Sequence, residues 1–456
     1  MRVVVVGGGI SGLAAAWHLR RAAEVTVFEP GRLGGCINTT SLGGTIVELG
    51  PDAFLTRAPE AVELCRELGI EDQLVAPGTG RAALWWRGKL RPLPDGLVLG
   101  VPNRLTAIAR SGILSPAGAL RAAGDLLLPA TPPRESDTVR ELVRRRFGAQ
   151  VADRLVDPLV GGIHAGWTGE LGAAETVPQL VESARRSRSL LLGLRRSAAP
   201  APRPATPVFL APRDGLRVLV DRLVETLAAE GVEFVTSAVE RVRSSGEGQV
   251  VLHPEHRAFD AAVVATPAAV SARMLGGDAG DLLSRVAAAS VALVSAVVDP
   301  PSVPEGLSGF LVPRGQGKAM TACSFSSNKW PQRANPGGCV VRMSAGRFGD
   351  AAALEMDDDA LTERLLTELG EALGRPASAS ASTVSRWPGA FPQYLPGHAG
   401  LVQGIERALG EEHPRVALAG SAYRGSGIPA CIASGRAAAE TVLGVERQGP
   451  LGRTNP

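Results

Sequence analysis

Val3, Val4, Val5 and Val6 run straight into Gly7, Gly8 and Gly9, followed by Ile10, Ser11 and Gly12. Four β-branched residues predict a strand, three glycines a tight turn, and the Ala- and Leu-rich run from Leu13 to Leu19 a helix. The chemistry such an arrangement serves is recognition of a pyrophosphate. Gly7 permits the turn, Gly9 lets the backbone approach the phosphates, and Gly12 allows close helix packing, with the helix N-terminus favouring negative charge. A second strand, "EVTVFEP", ends in Glu29, seventeen positions after Gly12, where a carboxylate can accept a hydrogen bond from a ribose hydroxyl. The same charge repels a 2′-phosphate, so NADP is disfavoured.

After Glu29 comes "GRLGGCIN", in which Arg32, Gly34 and Gly35 read as a second loop on the phosphate side, followed by the alternating strand-like run "TIVELGPDAFL". A plain NAD dehydrogenase needs no such loop, and the expected cofactor is FAD. Strand-and-turn patterns return at "VEFVTSAVERV" and "FDAAVVATPAAV", and again in "VALAGSAYRGSGIPACIASGRAAAETVL", where a helix is expected to begin near Pro429 or Ala430. A helix start aimed at a bound ring system can stabilise negative charge on a reduced flavin.

These returns predict an α/β fold: a discontinuous Rossmann-like FAD-binding domain (1–57, 208–275 and 385–445), a mixed-sheet substrate domain (58–91 and 276–384), and a helical subdomain (92–207). The helical subdomain carries apolar residues three and four apart in "LTAIARSGILSPAGALRAAGDLLLP" and "DTVRELVRRRFGAQVADRLVDPLVGGI". It reads either as an ordinary amphipathic unit or as a lid or membrane-apposed face. A helix is also predicted at "DDDALTERLLTELGEALG", with acids in its first turn. The Pro- and Ala-rich stretch from Arg195 to Pro207 reads as an exposed loop, and 446–456 as a flexible tail.

A chain of 456 residues, 45% of them hydrophobic, can fill two or three structural units. A net charge of +3 without a long basic run argues against a nucleic-acid partner. Of 48 Lys and Arg residues only Lys89, Lys318 and Lys329 are lysine, a bias that weakens any argument from arginine alone. Cys36, Cys65, Cys323, Cys339 and Cys431 show no metal-ligand spacing, so no metal site is expected and the thiols read as reduced. The nucleotide pattern begins at once, leaving no room for a signal peptide, and the most apolar later stretch, Ala287 to Val298, is too short to span a bilayer. A cytoplasmic protein is expected, with peripheral membrane association left open.

The stretches "GGGISGL", "ELGPDAFLTRAPE", "LVDPLVGGIHAG", "TACSFSSNKWPQ", "RMSAGRFGD", "RWPGAFPQYLPGH" and "GSGIPACIASGRAAA" resemble the FAD-dependent porphyrinogen oxidases of haem biosynthesis, particularly the bacterial coproporphyrinogen III oxidases. The resemblance runs from Val3 to about Leu443, within the broader monoamine oxidase and phytoene desaturase fold group. It implies FAD contacts at Gly7 to Gly12, at Glu29, around Gly34, at Gly50, Pro51, Asp52 and Ala53, at the Val239 backbone, near Trp387, and at Ser426, Gly427 and Ile428. Two departures touch the pyrophosphate side: the loop after Glu29 is one residue short of the usual pattern, and Cys36 stands where a basic residue often follows the double glycine.

The resemblance also implies a reaction. A porphyrinogen loses six electrons in three two-electron cycles, with molecular oxygen taking them as hydrogen peroxide, while the protein holds a meso C–H over the flavin and binds the propionates. Arg57 is the first choice for propionate binding because it follows the cofactor loop and can grip a carboxylate with two hydrogen bonds, and Lys329 is the second. Each could equally be a structural ion-pair residue. Gln393 and Tyr394 are candidates for the ring pocket or for core packing. His164 is a candidate proton shuttle, although a lone histidine is more often structural, so no catalytic acid or base is assigned. Coproporphyrinogen III is the favoured substrate and protoporphyrinogen IX the alternative. Contact with a ferrochelatase is a further expectation, and no oligomeric state is read. A flavin amine oxidase, a carotenoid desaturase, and a non-catalytic FAD or tetrapyrrole carrier are the rivals. The first would need an aromatic cage that a chain with two tyrosines can hardly supply.

Overall fold

The structure is a computed structural model that describes residues 1–197, 207–245, 248–299, 303–334 and 338–444. The first strand, Arg2–Val6, is the centre of a five-stranded parallel sheet. Its order is Glu233–Val235, Glu24–Phe28, Arg2–Val6, Ala261–Val264, Val416–Leu418. Val3 and Val5 enter one apolar cluster, together with the first helix (Ile10–Leu19), whereas Val4 and Val6 enter another on the opposite face. Burial on both faces is why the strand reads as an unbroken apolar run and not as an alternation.

Two glycines decide how closely the helices lie. A Cβ on Gly12 would run into the carbonyl oxygen of Gly7, and one on Gly435, within the terminal helix Ile428–Val442, into that of Ser11. First and terminal helices therefore meet backbone to backbone. Leu13, Leu19 and Ile432 are buried around this contact, each stabilising the fold by roughly 1.5–3 kcal/mol.

The broad sheet has seven strands, in the order Ala379–Pro392, Ala288–Val298, Cys339–Ala345, Met320–Phe325, Gly309–Leu311, Ala82–Trp86, Lys89–Pro92. All neighbours are antiparallel except Gly309–Leu311 with Ala82–Trp86. Helix Asp358–Leu373 covers one face, inserting Leu361, Leu365 and Leu369 among Ala292, Val294 and Ala296. Its N-cap is Asp357, whose carboxylate accepts from the Ala360 N–H at 2.7 Å.

A helical layer with its own core lies between Leu105 and Ser197. Buried Arg146 donates to Asp125 Oδ1 (2.5 Å) and to the carbonyls of Asp125, Pro129 and Arg188. Asp125 in turn accepts from the Ser189 hydroxyl and the Leu191 N–H. Such saturation is what lets a charge be buried at all.

Two expectations are revised and two are met with a refinement. "TIVELGPDAFL" is not one strand: Thr45–Glu48 and Phe54–Leu55 are separated by a loop, because Pro51 has no N–H to give and the chain at Gly50 passes directly over the Cys36 carbonyl. Residue 385 lies inside the strand Ala379–Pro392, so the broad sheet keeps the chain up to Pro392. The terminal helix starts at Ile428, with Gly427 as N-cap. Within "DRLVDPLVGG" the helix Ala152–Gly161 has the wide i→i+5 turn, which accommodates Pro158. The loop expected from Arg195 to Pro207 falls largely outside the described residues, as does 446–456.

Candidate active site

At the end of the first strand Gly7 adopts φ +108°, and a Cβ there would lie 2.8 Å from the Ala265 carbonyl oxygen. The turn delivers the N-terminus of the first helix, whose N-cap, Gly9, brings no capping side chain. The N–H groups of Ser11 and Gly12 are therefore left to a ligand, while Ile10 takes part in the bridge between Gly9 and Gly34. Gly9 itself faces open space, with Gly35 Cα 4.0 Å from where a Cβ would stand.

Glu29 sits beside this turn. Its Oε2 accepts from the Gly8 N–H at 2.8 Å and its Oε1 from the Gly31 N–H at 2.9 Å. Gly34 is latched to the turn through its N–H on the Gly8 carbonyl (2.7 Å), and Arg32 braces the same loop by donating to the carbonyls of Gly35 and Ile37. Arg32 thus shapes the loop. Uncapped helix, open glycine and strand-end carboxylate together fit the diphosphate and ribose of a dinucleotide.

The loop Gly50, Pro51, Asp52, Ala53 is held from beneath by the broad sheet. Lys329 Nζ contacts both oxygens of Asp52 (3.0 and 2.8 Å), Arg342 lies 3.5 Å away, and the Trp330 indole N–H reaches it at 3.4 Å. Arg342 also donates to the Gly50 carbonyl. Burial alone would raise the Asp52 carboxyl, but Lys329 and Arg342 outweigh it and hold it at about 2. Deeper still, Arg333 pairs with buried Glu48 at 3.1 Å, and Glu48 accepts from Thr39 and from the Leu216 N–H. Lys329 is therefore committed to Asp52, and the ion-pair role accounts for it.

The remaining candidates fall into two places. Trp387 donates to the Leu49 carbonyl at 2.7 Å, tying the broad sheet to the Gly50 loop. Gln393 is 1% exposed and donates to the carbonyls of His164 (2.8 Å) and Phe391 (2.9 Å). Tyr394, 6% exposed, donates to the Ser421 carbonyl (2.6 Å), accepts from the Gly425 N–H (2.7 Å) and stacks on His398. Its hydroxyl fixes the turn that leads into Ser426, Gly427 and Ile428. The terminal helix, like the first, has no capping side chain, so its leading N–H groups are also left to a ligand.

Val239 packs in the apolar cluster on the opposite face of the five-stranded sheet. Arg57 is exposed on the turn after Leu55 and makes no hydrogen bond or ion pair with the described residues. The structure does not bring it to the Asp52–Lys329 pair. His164 is driven down to about 4 by burial, so its ring is neutral at pH 7. Among the described residues no group of His, Cys, Asp and Glu could hold a metal ion, and no helix is long and apolar enough to cross a membrane.

Arg342 and Asp157 went unread in the sequence. Arg342 interrupts the apolar strand "CVVRMSA", the one signal available for it. Asp157 is buried in "LVDPLVGGIHAG" and accepts from the Thr168 N–H and hydroxyl, closing the loop that carries His164.

The family model described as flavin-containing amine oxidoreductase matches residues 10–443. The chain belongs to that family. Membership establishes a flavin cofactor, and the dinucleotide cradle makes it FAD. Within the flavin-containing amine oxidoreductases, the chain is 32% identical to the coproporphyrinogen III oxidase of Bacillus subtilis, over 97% of both chains. It is 35% identical to that of Mycobacterium bovis, over 97% of this chain and 98% of the other. A crystal structure from Exiguobacterium, provisionally named a protoporphyrinogen oxidase, superposes with a TM-score of 0.89 at 30% identity, over 98% of this chain and 99% of the other.

Proposed function

We propose that this protein carries out the FAD-dependent oxidation of coproporphyrinogen III to coproporphyrin III, with three molecules of oxygen reduced to three of hydrogen peroxide. The observation that carries this reading is the end-to-end match, at 32–35% identity, to proteins named coproporphyrinogen III oxidases. Bound FAD supplies the two-electron acceptor.

The protein's own part is positional. Tyr394 fixes the loop before the terminal helix, the Asp52–Lys329–Arg342 cluster fixes the Gly50 loop, and Trp387 joins that loop to the broad sheet. No side chain is needed as a charged acid, and neutral His164 suits a pocket kept dry. Arg57, exposed and unpaired with the described residues, remains a candidate for a propionate at the entrance.

An amine oxidase cage is disfavoured. The two tyrosines, Tyr394 and Tyr423, are 6% and 5% exposed, so neither offers an open wall. Protoporphyrinogen IX is the second reading, favoured by a 30% identity to the protoporphyrinogen oxidase of Macaca fascicularis over 98% of this chain. A coproporphyrin product would be passed to iron insertion, where a ferrochelatase is the expected partner. The test is porphyrin fluorescence against time, in air, with each porphyrinogen supplied separately and autoxidation subtracted. Faster development from coproporphyrinogen supports the proposal, protoporphyrinogen alone supports the second reading, and no acceleration with either sinks both.

A further inference from the structure

Strands Gly309–Leu311 and Cys339–Ala345 both pair antiparallel with Met320–Phe325, so they run the same way and end at one edge of the broad sheet. Arg314 follows the first and Arg347 the second. The register Ala288↔Pro392 and Ala292↔Ala345 brings Gln393 to the same edge. There all three elements meet one loop. Arg314 donates to the Gly166 carbonyl (2.9 Å), Gln393 to that of His164 (2.8 Å), and the Phe348 N–H to that of Ala165 (2.7 Å).

The two guanidinium groups at this edge are not fully hydrogen-bonded. Asp157 spends one oxygen on Thr168, and its other lies 3.7 Å from Arg314 Nε, too far for a hydrogen bond. Asp350 meets Arg347 through backbone groups. The Nε atoms of Arg314 and Arg347 are both buried without an acceptor among the described residues. Burial, and then the Arg314 charge, lower the Arg347 guanidinium, with Asp350 and Asp157 offsetting only part.

Beside the pair, Phe348, Trp387 and Phe391 pack on Ala165, Ala289 and Val291 as a half-buried apolar wall, and Trp387 reaches back to Leu49 beside the cofactor loop. An apolar surface with two forked cations at the same sheet edge suits a planar ring with carboxylates on its rim.

We propose that Arg314 and Arg347 form a carboxylate-binding site that takes a rim propionate of the substrate. This rests on the tetrapyrrole reading above and adds residues to it.

The experiment titrates coproporphyrin III and its tetramethyl ester into FAD-loaded wild type, Arg314→Ala, Arg347→Ala and Arg347→Lys, reading porphyrin fluorescence. Steady-state oxidation of coproporphyrinogen III and flavin content are measured beside it. Each alanine variant should bind the free acid about tenfold more weakly and show KM raised by a similar factor, with kcat held within about threefold. The ester should bind wild type and variants alike, and Arg347→Lys should recover part of the loss.

Unchanged free-acid binding in both alanine variants, with normal flavin content, overturns the inference and leaves the reaction untouched. Equal losses for acid and ester overturn it as well, because the arginines would then hold the loop and not a carboxylate. A wild type that binds the acid but oxidises no porphyrinogen overturns the reaction alone, and the titration still decides the site.

Discussion

Asp52 keeps its charge because two cations offset what burial would do to it, and that balance has a sign in pH. Its carboxyl sits at about 2 against an ordinary 3.8, so the stabilisation is present above pH 4 and fades as pH falls towards 2. Lys329→Met should lower stability at pH 7 by about 2 kcal/mol, less than a fully buried pair because both partners keep some exposure. Urea denaturation at pH 7 and again near pH 3 checks this; a difference that persists undiminished at the lower pH would contradict it. His164 runs on a different scale. Its folded value of about 4 lies below 6.5, so its burial destabilises the protein progressively as pH drops from 6.5 towards 4. His164→Gln should flatten that slope and leave kcat at pH 7.5 within about threefold, whereas a hundredfold loss would restore the proton-shuttle role. Tyr394→Phe removes both hydrogen bonds of a buried hydroxyl. About 1–3 kcal/mol of stability should go with them, together with a shifted flavin absorption spectrum.

Between elements, the decisive contact is the meeting of first and terminal helices. Gly435→Ala must push Ser11 away, and it should cost about 1–3 kcal/mol and reduce FAD retention, read as the flavin-to-protein absorbance ratio. Gly410→Ala is the counterpart. It lies in helix His398–Glu412 with nothing within 4 Å of the added carbon, so stability should rise by about 0.5–1 kcal/mol. A gain at both positions would mean that helix propensity and not contact governs. The strand-turn-helix at Val3 to Leu19 was legible because its signals are local: β-branched run, glycines at fixed spacing, Ala-rich follow-on. The break at Gly50 was not, since what forbids a side chain there is the Cys36 carbonyl of another loop. Whether Lys329 faces substrate or an ion-pair partner stayed open in the sequence for the same reason. Its partner, Asp52, is remote in sequence, and no local pattern names a partner so far away.

At the scale of the whole molecule, the five-stranded sheet takes strands from three separate stretches of chain, and the broad sheet is threaded between them. The returns "VEFVTSAVERV" and "FDAAVVATPAAV" made the discontinuity readable, while the extension of the broad sheet to Pro392 depended on pairing with Ala288–Val298, which periodicity does not encode. The two sheets are joined at the cofactor loop by Lys329, Arg342 and Trp387, so damage to either should release flavin. The order of strands also bears on how the protein is made. Arg2–Val6 is made long before its sheet is complete: the edge strand beyond its neighbour Ala261–Val264 is Val416–Leu418, and the helix that packs on the first helix follows only after that. Both strand neighbours of the central strand are present by Val264, but the sheet lacks its edge and the first helix lacks its partner helix until the chain has passed Val416 and Ile428. Stable flavin capture should therefore await the arrival of the helix Ile428–Val442, so that a chain cut short before it would be expected to release its cofactor.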